Sequence, residues 1–121
     1  MIITLASSDK LTLAMFSDFY RSIYASNALI SDLSYLYSPD ILSSFIDKII
    51  EKSNRGAIVL IRYSIKTQTK ELNPIILEKS DVLIKFDIFS TEPEVIKSLP
   101  DTEAMVIRWK DNIAKRNKQV L

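Results

Sequence analysis

The sequence predicts an α/β protein. The expected architecture is a three-layer, mostly parallel sheet with helices over residues 10–26 and 39–53 and antiparallel strands at the C-terminal end. Three observations predict it. An apolar run, "MIITLAS", leads directly into a stretch with helical spacing. A second run, "AIVLIRYSI" at 57–65, is apolar almost without interruption, as in a strand buried on both faces. Strands and helices then alternate, which implies parallel pairing through right-handed crossovers.

Residues 1–7 read as a buried strand, and Ser8 or Asp9 can cap the first helix. In "KLTLAMFSDFYRSIYAS" the apolar residues Leu11, Ala14, Met15, Phe19, Ile23 and Tyr24 recur at three and four, and Phe16 and Tyr20 widen that face. "ALISDLSYLY" reads as a strand with a trailing loop. Ser38 and Pro39 begin the next helix as cap and first-turn residue. That helix places Ile41, Leu42, Phe45, Ile46, Ile49 and Ile50 on one side, with Asp47, Lys48, Glu51 and Lys52 outward. Gly56 is its expected left-handed terminator.

After the 57–65 strand, "KTQTKELNP" reads as a turn or exposed loop and "PIILEKS" as a strand or short helix. "DVLIKFDIFS" alternates, with Val82, Ile84, Phe86 and Ile88 on one face. "AMVIRWKDN" at 104–112 reads as a last strand, before a basic end that is frayed or helical.

The chain of 121 residues is expected to form one domain across 1–121, with a basic C-terminal tail at 108–121. Formal net charge is +1, which gives no global field to gather nucleic acid or membrane. The chain contains no histidine and no cysteine, which removes disulfides, thiolate nucleophiles, His/Cys zinc sites and imidazole acid-base chemistry. The missing thiols fit a reducing interior or a hot habitat. "MIITLASSDK" lacks a basic leader and the longest apolar run is far short of a membrane span, so a cytoplasmic protein without a membrane partner is expected. With one glycine in the chain, neither G-x-x-x-x-G-K-[ST] nor G-x-G-x-x-G can be written, so no phosphate-cradling loop and no nucleotide cofactor are expected.

Three groups of residues remain as candidate sites. Asp32, at a strand's carboxyl end, can hold a metal if Asp9, Asp81 or Asp87 converges with it; it reads equally as a solvated carboxylate or a cap. Arg108, Trp109, Lys110, Lys115, Arg116 and Lys118 form a basic stretch with one indole, able to grip a phosphate backbone and stack a base; the indole can instead anchor a core or an interface. Tyr20, Tyr24, Tyr35, Tyr37 and Trp109 are aromatic residues suited to a protein interface, against a default role in the core.

From about residue 27 to 90 the chain resembles the second half of a RecA/KaiC/RadA-like ATPase core. The texts that carry it are "LISDLSYLY", "PDILSSFIDKIIEKS", "GAIVLIRYSI" and "ILEKSDVLIKFDIF", with "IITLAS" matching the strand after the phosphate-loop helix. The resemblance implies a truncated RecA-like domain. Its departures speak against ATPase activity: the phosphate loop is missing, no glutamate follows "IITLAS", and Ser31 rather than Asp32 falls at the metal-reaching position.

The leading expectation is therefore a non-catalytic accessory protein that binds a protein partner or a second copy of itself, in a DNA transaction if the resemblance extends to function. A nucleic-acid-binding module using the C-terminal segment is the first alternative, and a carboxylate–Mg²⁺ enzyme the second.

Overall fold

The computed structural model describes residues 1–66, 72–87 and 92–120, with side chains in the last helix through Arg116. The strands are β1 (Ile2–Ser7), β2 (Leu29–Ser34), β3 (Val59–Ser64), β4 (Val82–Phe86) and β5 (Glu94–Lys97). The helices are α1 (Lys10–Ile23), α2 (Pro39–Asn54), α3 (Pro74–Lys79) and α4 (Thr102–Val120). The expected loop residues 67–71 and the end of the expected fourth strand, Ile88 to Ser90, lie outside the described residues.

β1 became the centre of the sheet because all six of its residues are apolar or small, and all six are buried. It pairs in parallel with β3 on one side and β4 on the other, in the order β2-β3-β1-β4-β5. Only β5 is antiparallel, against β4. The chain leaves β1 toward β2 and returns through β3 to β4. Right-handed crossovers in opposite directions must lie on opposite faces of the sheet. Accordingly α1 packs on one face, and α2 with α3 on the other.

Two cores result. On the α1 face, Ile3, Leu5, Leu60, Ile84 and Phe86 meet Leu13, Phe16 and Phe19 of α1 and Met105, Val106 and Trp109 of α4. On the opposite face, Ile2, Ala6, Val59, Ile61, Tyr63 and Leu83 meet Leu42, Ile46 and Ile49 of α2 and Ile76 of α3. Strand alternation supplies both, because neighbouring β1 side chains serve opposite cores. A buried hydroxyl pair, Thr4 with Ser80 at 2.6 Å, ties β1 to the end of α3, and the Asp81 carboxylate accepts the Ile2 N–H at 2.8 Å.

The helix signals act as expected at most ends. Asp9 caps α1, accepting from Leu11 N–H, and Ser38 caps α2 with Pro39 following. Gly56 has φ 95, the left-handed torsion that a side chain disfavours. "PIILEKS" is a short helix, and Lys97 of β5 donates to its last carbonyls at Leu77 and Glu78.

Three expectations need correction. Residues 104–112 are not a strand but part of α4. Val, Ile and Trp favour strands locally, yet Thr102, Met105, Val106, Trp109 and Ile113 recur at three and four, and that stripe covers the α1 side of β4. The buried face of α1 is centred on Leu13, Phe16 and Tyr20, leaving Leu11 and Ile23 exposed. In α2 only Leu42, Ile46 and Ile49 are buried; Ile41 and Phe45 are exposed.

Burial raises the pKa of Tyr20, with Tyr24 adding to it, and burial also raises that of Tyr63. A phenol whose folded pKa lies above its unfolded value favours the folded state through its neutral form. That contribution is whole below the ordinary value of 10.0 and is lost as the pH rises through the higher folded value. Urea titrations should therefore show stability constant through neutrality and falling above about pH 10. The fall should be shallower in a Tyr20→Phe, Tyr63→Phe double variant.

Candidate functional site

In an open α/β sheet, ligands collect at the carboxyl ends of the strands, where neighbouring connections leave to opposite faces. Here that place lies between β1, which exits to α1, and β3, which exits toward α3. The register sets Ser7, Ser64 and Ser34 side by side across β1, β3 and β2, each the last residue of its strand. Two residues back along each strand, Asp32 and Arg62 are neighbours, and they form a two-pronged ion pair: Nε donates to Oδ1 at 2.6 Å and Nη2 to Oδ2 at 2.8 Å. With Lys10, Ala14 and Tyr37 they line a cleft of about 410 Å³. The Asp32 hydrogen bond is the largest influence raising the Arg62 pKa, opposed by partial burial.

This edge satisfies its own backbone. The Ser7 hydroxyl accepts from Asp9 N–H at 3.0 Å, and the Ser34 hydroxyl from Leu36 N–H at 3.2 Å. Asp9 places its carboxylate on Leu11 N–H and on the Thr12 hydroxyl. The start of α1, where a phosphate rests in dinucleotide and phosphate-loop folds, is thus occupied by the chain's own acid. A phosphate bound there would have to displace it against like charge.

The expected carboxylate cluster does not assemble. Asp32 is committed to Arg62, Asp9 caps a helix, and Asp81 lies at the amino end of β4, away from both. Asp87 follows the far end of β4. Among the described residues no three acids, histidines or cysteines are placed to hold a metal. Asp32 is an ion-pair partner of Arg62 in this arrangement.

The basic stretch is also redistributed. Trp109 is 6% exposed and packs against Phe16, Phe19 and Phe86, so it offers no face to a base or a partner. At about 100° per residue, α4 aligns Arg108 with Lys115 and turns Lys110 away from both. Lys110 is paired with Glu92 at 2.6 Å. Arg116 is exposed, and the Lys118 side chain lies outside the described residues.

The aromatic candidates separate. Tyr20 is nearly buried, 5% exposed. Tyr24, Tyr35 and Tyr37 are exposed, the last two in the turn between β2 and α2. There they join residues that sequence reasoning assigned elsewhere. Leu36 is 76% exposed, Ile41 is 50% exposed, and Phe45 stacks on Tyr37 with centroids 5.6 Å apart, under the Lys48 ammonium. The missed signal is in α2. Leu42, Ile46 and Ile49 already form one buried ridge, so Ile41 and Phe45 are a second, exposed ridge, whose Phe45 meets Tyr37 of the turn after β2.

That edge is β2. No strand lies beyond it among the described residues. Leu29 and Tyr35 direct their N–H groups inward to Ile58 and Ser64. Alternation therefore turns the amides of Ile30 and Asp32 outward. The strand carries no lysine, proline or bulge, and its one charged guard, Asp32, is held by Arg62.

The chain matches no protein-family model, no curated protein sequence and no solved structure. Among the described residues no helix is long and apolar enough to cross a membrane.

The two most divergent site assignments have opposite costs. Asp32→Ala should cost no more than about 1 kcal/mol, because its carboxylate is mostly in water. Trp109→Ala should cost about 3–5 kcal/mol. Urea unfolding of the two variants, followed by circular dichroism, measures both.

Proposed function

We propose that this protein is a non-catalytic association module whose partner is another protein chain. The partner adds an extended segment to the free edge of β2 and covers the apolar strip beside it. One observation carries this reading: among the described residues β2 is an open edge, the Tyr35, Leu36 and Tyr37 that follow it are exposed, and so are Ile41 and Phe45 of α2, the last in contact with Tyr37. Outward amides and carbonyls would supply main-chain hydrogen bonds, and the aromatic and aliphatic strip would supply the apolar anchor. The self-capped carboxyl edge supports the non-catalytic part, since the start of α1 is already filled by Asp9. The resemblance of residues 27–90 to a RecA/KaiC/RadA-like core favours a partner of that ATPase class, and with it an accessory role in a DNA transaction.

Affinity capture from native cells, read by quantitative mass spectrometry, tests this. Wild type should retain a defined protein at high salt. A Leu36→Asp, Phe45→Ser variant should lose it at least roughly tenfold, the cost of a central apolar anchor. Both residues are exposed, so the variant should keep the wild-type fold. Unchanged capture by the variant would contradict the proposal. So would retention only of nucleic acid, lost in high salt and in Arg108→Gln, Lys115→Gln, which is the signature of a phosphate-binding α4.

A further inference from the structure

At the opposite end of the sheet, the first turns of α4 and the last turn of α1 stand apart over the amino ends of β1 and β4. Between them lies a cleft of about 550 Å³, in the size range of small-molecule sites. Its floor is apolar: Ile3 and Val82 from the sheet, with Met105 from α4, all nearly fully buried. Of the polar residues on its wall, which include Tyr24, Asp101 and Thr102, two matter here, Tyr20 and Arg108. Tyr20 is only 5% exposed, yet it lines the cleft and has no hydrogen-bond partner among the described residues. Arg108 lies with its guanidinium 5.9 Å over the ring of Tyr24, which itself stacks on Tyr20 at 5.3 Å. Among the described residues Arg108 has no carboxylate partner.

Both groups are free to meet a ligand. The Tyr20 ring is buried, but its hydroxyl is not a buried unsatisfied atom and so meets water in the cleft, which a ligand's polar group can replace. An arginine held on an aromatic face without an acid retains its donors for another anion. The one acid on the cleft wall, Asp101, immediately precedes α4, seven residues before Arg108 and about 10 Å away along the helix axis. The cleft is therefore amphipathic along its length, apolar below and cationic at one end.

We propose that this cleft binds a small amphipathic carboxylate, of the medium-chain fatty-acid class. Its alkyl chain lies on Ile3, Val82 and Met105, and its carboxylate meets the Arg108 guanidinium and the Tyr20 hydroxyl. The site is on a different part of the molecule from the β2 edge and does not depend on the association reading.

Octanoate and 1-octanol, both kept below self-association, are the probes. Amide chemical shifts of the isotope-labelled protein report binding. Octanoate should shift residues of the 20–24 and 99–108 segments along a single saturating curve. Arg108→Gln should weaken octanoate roughly tenfold, the effect of one charged hydrogen bond, and leave 1-octanol unchanged. Tyr20→Phe should weaken octanoate several-fold. Ala104→Trp, on an exposed position of the cleft wall, should block both probes while the far-ultraviolet spectrum stays that of wild type. Scattered, non-saturating shifts would overturn the proposal. Equal octanoate affinity in Arg108→Gln and wild type would do the same, as would unaltered binding in Ala104→Trp.

Discussion

The fold depends on one strand that belongs to two cores. β1 places six buried residues in the middle of the sheet, pairing with β3 over its whole length and with β4 from Ile3 to Ser7. Ile3 and Leu5 commit one face to α1 and α4; Ile2 and Ala6 commit the other to α2 and α3. A slip of one residue would exchange the two sets and set Thr4 and Ser7 among the wrong neighbours. The Thr4–Ser80 hydroxyl pair and the Asp81 bond to Ile2 fix that register with polar groups whose loss would be costly inside the protein. Because β1 is fixed, β2 is left at an edge and the carboxyl ends of β1, β3 and β2 finish level.

The surface is made of the residues those cores leave over. α2 has more apolar residues than one face of a sheet can bury, and the surplus, Ile41 and Phe45, is exposed, with Phe45 against Tyr37. Exposed apolar side chains are ordinary when single; several of them near unpaired strand amides are what the association reading rests on. The carboxyl end has the opposite character. Where phosphate-binding folds use glycines to present bare amides, this chain closes its turns with Ser7, Ser34 and Asp9. Two ends of one strand layer therefore differ in availability, although both lie where open α/β sheets bind ligands or partners.

Much of the fold was legible in the residues. The first three strands, the first two helices, the Ser38–Pro39 start and the Gly56 stop are dictated by periodicity and cap chemistry, and the structure places them within a few residues of expectation. The illegible parts depended on tertiary demand. α4 looked like a strand over nine residues because Val106, Ile107 and Trp109 are strand formers, and its helical stripe shows only when Thr102 and Ile113 are included. β5 has four residues, three of them exposed, so it has no hydrophobic signature at all. At the candidate sites, composition found the aromatic residues but not their depth. Tyr20 and Trp109 are inside while Tyr35 and Tyr37 are outside, and that difference is set by which helix face meets the sheet. The Asp32–Arg62 pair joins residues from separate strands, which only the β2–β3 register brings together.

The most direct test of this account is native-state hydrogen exchange, resolved by residue, on the free protein. Amides of β1, β3 and the inner side of β4 should exchange only through global unfolding. The outward amides of Ile30 and Asp32 should exchange orders of magnitude faster, as groups open to water. Protection of Ile30 and Asp32 equal to that of β1 in the free monomer would contradict the open edge, and rapid exchange along β1 would contradict the strand on which everything else is built.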